Sequence, residues 1–107
     1  MDRKQQLDME LQRLVPLLRD RFQATLILIF GSVASGNVTD FSDIDLVVVR
    51  KTSLRFLDRI GELLVSLQPR VGVDFLVYTP EEWKTLSTSN QFVREEVLRK
   101  GKVLYAA

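Results

Sequence analysis

The sequence predicts an α/β protein of one domain, spanning residues 1–107, in which strands and helices take turns along the chain. Three observations predict it. Apolar runs of strand length alternate with segments whose leucines recur at helical spacing. A chain of 107 residues leaves room for one core. Hydrophobic residues at 46% and charged residues at 27% exclude disordered and fibrous classes.

Taken in order, Leu7, Leu11, Leu14, Leu17 and Leu18 predict an amphipathic helix over residues 2–21, which Pro16 is expected to kink or restart. Residues 24–30 form a continuous apolar run that stops at Gly31, the pattern of a buried strand. Gly36, Asn37, Thr39 and Asp40 make residues 32–41 a loop. Residues 44–49 are a second buried strand, entered from Ser42 and Asp43. Leu54, Leu57, Ile60, Leu63, Leu64 and Leu67 place a helix over residues 53–68, ended by Pro69. Alternation from Val71 to Tyr78 gives a third strand. Thr79, Pro80 and Glu82 together mark a helix start, as N-cap, first helical residue and capping-box partner. A last helix is expected over residues 90–100, stopped by Gly101. Residues 102–105 are expected to form a short edge strand.

What is missing narrows the chemistry. There is no Cys and no His, which removes disulfides, thiol nucleophiles, His-based triads and the usual zinc sites. Catalysis here must run on carboxylates, hydroxyls, amines or guanidinium groups, and a metal would be a hard ion such as Mg²⁺ or Mn²⁺. Fifteen basic against 14 acidic residues leave no electrostatic footprint for nucleic acid. Charged residues break up the first 20 positions, so no secretory signal is expected. The longest apolar stretch falls far short of the ~20 residues of a membrane span. A soluble, cytoplasmic protein is expected.

Two features flank the loop. Gly31 and Ser32 follow the first strand; Asp43 and Asp45 open the second. Strand residues two apart project to one face, about 6.6 Å apart along the axis. Asp43 and Asp45 therefore aim two carboxylates at one patch, and a divalent cation between them is the simple way to offset their repulsion. Gly31 admits close backbone approach, and Ser32 is expected to cap a short turn made by Val33, Ala34 and Ser35. Free N–H groups there, with a hydroxyl beside them, would cradle phosphate. Asp74 supplies a third carboxylate, expected mid-strand on the face opposite Val73 and Phe75. Singly, each feature reads more plainly as loop chemistry. Jointly, Gly-Ser and Asp-x-Asp at this spacing arise by chance in on the order of one chain in a few hundred.

Gly31 and Ser32, ten residues, then Asp43, Ile44 and Asp45 at the head of a hydrophobic strand resemble the signature of the DNA polymerase β-type nucleotidyltransferase superfamily. The short chain is similar to its minimal nucleotidyltransferase (MNT) branch, encoded beside small helical HEPN proteins. The resemblance covers nearly the whole chain. It implies a nucleotidyltransferase palm, a small mixed sheet flanked by helices. It implies nucleotide binding at Gly31 and Ser32, two divalent ions (Mg²⁺ or Mn²⁺) on Asp43 and Asp45, and Asp74 sharing a metal and helping deprotonate the attacking hydroxyl. ATP is the implied substrate and a HEPN toxin the implied partner, adenylylated on a tyrosine by this chain as antitoxin. Where the family often has a basic residue in the turn, this sequence has Ser35. Arg50, Lys51 and Arg55 are the candidate replacements, against the plainer reading of each as solvated surface. Two other functions stand beside the first: a binding module that neutralises its partner by contact alone, and an enzyme modifying a small molecule. Among the aromatics, Trp83, Phe92 and Tyr105 lie in the last third; Phe92, Val93, Val97 and Leu98 form a stripe expected to pack in the core, with any exposed remainder an interface.

Overall fold

Four strands form one mixed sheet in the order β3-β2-β1-β4 in the computed structural model, which describes residues 1–107. The elements run α1 (Arg3–Asp20), β1 (Leu26–Phe30), α2 (Gly31–Ser35), β2 (Ile44–Val49), α3 (Phe56–Leu67), β3 (Val73–Tyr78), α4 (Pro80–Ser89), α5 (Val93–Arg99) and β4 (Lys102–Ala106). β1 pairs antiparallel with β2 and with β4, whereas β2 and β3 are parallel. A parallel pair needs a crossover, and α3 supplies it. The expected α/β architecture and mixed, helix-flanked sheet are both found.

Each face of the sheet has its own cover. Ile27, Ile29, Ile44, Leu46, Val48, Phe75 and Val77 pack under Leu7, Leu14 and Leu18 of α1 and Leu63 and Leu67 of α3. On the other face, Leu28, Val47 and Val49 pack with Val97 of α5, and Trp83 of α4 adjoins them. β2 is thus buried on both sides, which is why it reads as an unbroken apolar run after Asp45.

Three elements differ from expectation. α1 runs through Pro16 without interruption, because Leu14 and Leu18 on either side are fully buried and hold both halves in one line. β3 starts at Val73 instead of Val71. The segment before it is tied to α1, where the Glu10 carboxylate accepts from the Arg70 amide at 2.5 Å, and pairing with β2 begins only at the Ile44 amide to Gly72 carbonyl bond. The last helix has π-type hydrogen bonding over Val93–Arg99. Its anchors Val93 and Val97 are four apart and fit an α turn and the wider π turn alike, so spacing does not distinguish them. The start of α4 is as expected: the Glu82 amide donates to Thr79 Oγ1 at 3.2 Å and the Thr79 amide to Glu82 Oε1 at 2.8 Å. No helix is long and apolar enough to cross a membrane.

Glu10 is the polar group that locks α1 in place. It is only 3% exposed and also accepts from Arg13 Nε at 2.7 Å and Arg13 Nη2 at 2.9 Å. The Arg13 guanidinium, with the Arg70 amide, holds its carboxyl below the usual carboxylate range. A depressed folded pKa stabilises the fold above the unfolded value of about 4.5 and stops doing so as the pH falls through the folded value. Replacing Glu10→Gln should therefore lower the unfolding free energy by about 1.5–3 kcal/mol near neutral pH. In urea titrations, the gap between wild type and variant should shrink as the pH is taken down towards about 3.

Candidate active site

The site begins where β1 turns into α2. Gly31 has φ of +75°, and a Cβ there would run into the Asp45 carboxylate. Both facts require glycine. The five-residue α2 has Phe30 as its N-cap, with no side-chain cap bond, and closes on Gly36 in the left-handed conformation. Contrary to the expectation from sequence, Ser32 does not cap the turn; it lies inside α2. There its carbonyl accepts from Ser35 Oγ at 3.2 Å and from the Asn37 amide at 3.0 Å.

The loop that follows is braced by its own side chains. The Thr39 amide donates to Ser42 Oγ at 2.8 Å, the Ser42 amide to the Thr39 carbonyl at 3.1 Å, and the Phe41 amide to Thr39 Oγ1 at 3.2 Å. Ser42 is buried, while Phe41 projects into solvent.

Strand register then assembles the carboxylates. Asp45 faces Phe30 across β1 and Asp74 across β3. It lies on the same face as Val47 and Val49, and Asp74 lies on the face opposite Val73 and Phe75, as expected. Asp74 is not mid-strand, however; it is the second residue of β3, because pairing starts late. That brings it to the same end of the sheet as Asp45, on strands about 4.8 Å apart. Asp43 stands just before β2, its carboxyl over Gly72, where a Cβ would come within 2.6 Å of it.

Burial pushes the Asp45 carboxyl up to about 6, helped by its hydrogen bond to Asp74 and by the charges of Asp74 and Asp43. Asp45 and Asp74 share one end and one face of the sheet, with Asp43 just before β2 at that end, but the three are not gathered into a ready-made ligand set. Their chemistry nevertheless fits a hard divalent ion: the donors are all oxygen, and the cost of ionising Asp45 is what a cation would offset.

The basic residues are distributed differently from expectation. Arg50 and Lys51 lie beyond the far end of β2, about 16 Å of strand from Asp45. Arg50 is occupied there by the Phe22 carbonyl at 3.0 Å and Glu62 Oε1 at 2.9 Å. Arg55 precedes α3 at that same end, so none of the three replaces a cation at the α2 turn. The cation at the site is Arg3 of α1. Its Nη2 donates to Asp43 Oδ1 at 3.2 Å and its Nε to the Ser42 carbonyl at 2.8 Å. No local motif announces a contact between residues 40 apart. On the flank, Phe92 meets Phe30 edge-on with ring centroids 5.7 Å apart, while Val93 and Val97 carry the buried part of their stripe.

The polymerase beta nucleotidyltransferase family model matches residues 12–107. The chain belongs to this nucleotidyltransferase family. No curated protein matches the sequence. Among solved structures, a protein from Sulfolobus solfataricus assigned as a nucleotidyltransferase is similar at 24% identity and a TM-score of 0.66, over 96% of this chain and 83% of that one. A mutant form of the MntA-HepT toxin-antitoxin is similar at 27% identity and a TM-score of 0.57, over 90% of this chain and 72% of the other. The tri-AMPylated Shewanella oneidensis HEPN toxin in complex with MNT antitoxin matches at 22% identity and a TM-score of 0.54, over 94% and 73% of the two chains.

The raised Asp45 pKa has a measurable consequence in this nucleotidyltransferase fold. An acid whose folded pKa exceeds its unfolded value of 3.8 costs stability as the pH rises past that value, and the full cost is present above about 6. Two pKa units correspond to about 3 kcal/mol; solvent screening at this only partly buried position reduces that to about 1 kcal/mol. In chelator-containing buffer, Asp45→Asn should therefore be more stable than wild type by about 1 kcal/mol at pH 8. The two should melt alike near pH 4.

Proposed function

We propose that this chain, acting as a single nucleotidyltransferase domain, transfers AMP from ATP to a hydroxyl of a partner HEPN toxin, on a tyrosine, and so serves as its antitoxin in the cytoplasm. The observation that carries the reading is the pairing of Asp45 with Asp74 beside Gly31, with Asp43 at the same end of the sheet just before β2. Similarity to toxin-antitoxin structures supports the choice of partner.

In this reading Gly31 and Ser32 lie against the phosphates, with the missing side chain of Gly31 letting the Asp45 carboxyl stand beside that turn. Asp43, Asp45 and Asp74 hold two divalent ions, Mg²⁺ or Mn²⁺, which supply Lewis-acid stabilisation of charge on the phosphates. The acceptor oxygen bonds to the α-phosphorus as the bond to the bridging oxygen of the β-phosphate breaks, and pyrophosphate leaves. The hydroxyl proton passes to Asp74, which is exposed at the start of an edge strand and open to an incoming group. Nothing in this sequence of events needs the histidine the chain lacks.

Two measurements test the reading. Calorimetric titration with ATP should give binding that requires Mg²⁺ and is lost in the Asp43→Asn/Asp45→Asn double variant. Co-expression with the partner should add AMP to the partner's intact mass, again only with the wild-type aspartates. A double variant that still neutralises the toxin, with no mass change in either case, would replace this reading with one of inhibition by contact.

A further inference from the structure

Arg3 is placed with more care than a surface cation needs. It sits in the first turn of α1, whose start is capped by Asp2: the Gln5 amide donates to Asp2 Oδ1 at 2.8 Å and the Asp2 amide to Gln5 Oε1 at 3.0 Å. One turn further on, Leu7 is fully buried. All three guanidinium nitrogens are engaged: Nε with the Ser42 carbonyl at 2.8 Å, Nη1 with Gln6 Oε1 at 3.3 Å and Nη2 with Asp43 Oδ1 at 3.2 Å. The fork is thus fixed on one side to its own helix and on the other to the two residues before β2. Asp43 needs such a hold, because it lies outside the strand and its side chain is 50% exposed, against 21% for Arg3. No other side chain donates to its carboxylate. The ion pair itself contributes little stability at this exposure. Arg3 also lies before residue 12, where the match to the family begins.

We infer that Arg3 is a positioning residue that, through Asp43, prepares the acidic site for a divalent cation. Oδ1 is occupied by the guanidinium, which leaves Oδ2 to face a cation, and the Ser42 contact fixes the main chain from which Asp43 projects. Outer hydrogen bonds of this kind orient ligating carboxylates. The inference rests on the reading of Asp43, Asp45 and Asp74 as the cation-holding set.

The test is Mn²⁺ titration followed by the electron paramagnetic resonance of free Mn²⁺, on wild type, Arg3→Lys, Asp43→Asn and the double variant. Lysine keeps the charge and loses the fork, so an effect of Arg3→Lys reports geometry and not net charge. Arg3→Lys is expected to weaken Mn²⁺ binding about tenfold with the melting temperature little changed. It is expected to have no further effect in the Asp43→Asn background, where Asp45 and Asp74 retain a weaker site. Binding by Arg3→Lys as tight as wild type, or tighter, overturns the inference, and so does an equal loss in both backgrounds, which would mark Arg3 as a brace for the loop alone. Wild type that binds no Mn²⁺ overturns the cation-holding reading itself, and the role of Arg3 with it.

Discussion

The structure depends on the register of β2. This strand is the one that pairs on both sides with the arms of the site, antiparallel to β1 and parallel to β3, and it is buried on both faces. Side chains alternate along a strand, so a slip of one residue would turn Asp45 into the α1-covered core and Leu46 towards the acidic patch. The cost of burying a charge in that core excludes the slipped pairing. The same register sets Asp45 beside Asp74 and opposite Phe30, next to the glycine whose missing side chain makes room for its carboxyl. Core packing and site assembly are therefore one constraint.

That constraint places like charges together at the end of an apolar strand. Burial and the neighbouring carboxylates raise Asp45 to about 6, so the fold carries a local strain at the candidate site. Elsewhere its polar groups are satisfied, with no buried side-chain donor or acceptor left without a partner. Glu10 shows the contrast: it is more deeply buried than Asp45, yet Arg13 and the Arg70 amide hold it ionised. Unpaired acid at one end and paired acid in the interior is the pattern expected where stability has been exchanged for function.

α1 connects these two regions. Its middle anchors the segment before β3 through Glu10, which delays the start of that strand and so moves Asp74 to the strand end. Its first turn reaches Ser42 and Asp43 through Arg3. One helix therefore influences the placement of both Asp43 and Asp74.

Much of the fold is legible locally. The range of β2, the capping box at Thr79 and the stop at Gly101 follow from residue type and spacing, because strand burial, caps and chain reversal are short-range effects. The approach of Gly31 to Asp45 is legible too, since both flank one loop. Spacing misjudged what depends on distant partners. Pro16 is carried by buried leucines, β3 begins late because Glu10 holds Arg70, and Ser32 sits within α2 instead of capping it. By itself the sequence singled out Asp43, Asp45 and Asp74 as candidate carboxylates and determined that no histidine or cysteine takes part. Only the tertiary structure decided that Arg3, and not Arg50, Lys51 or Arg55, is the cation beside them. Position along a strand separates Arg50 from Asp45 by the strand's full length, whereas packing of α1 brings Arg3 across 40 residues of chain into hydrogen-bonding distance.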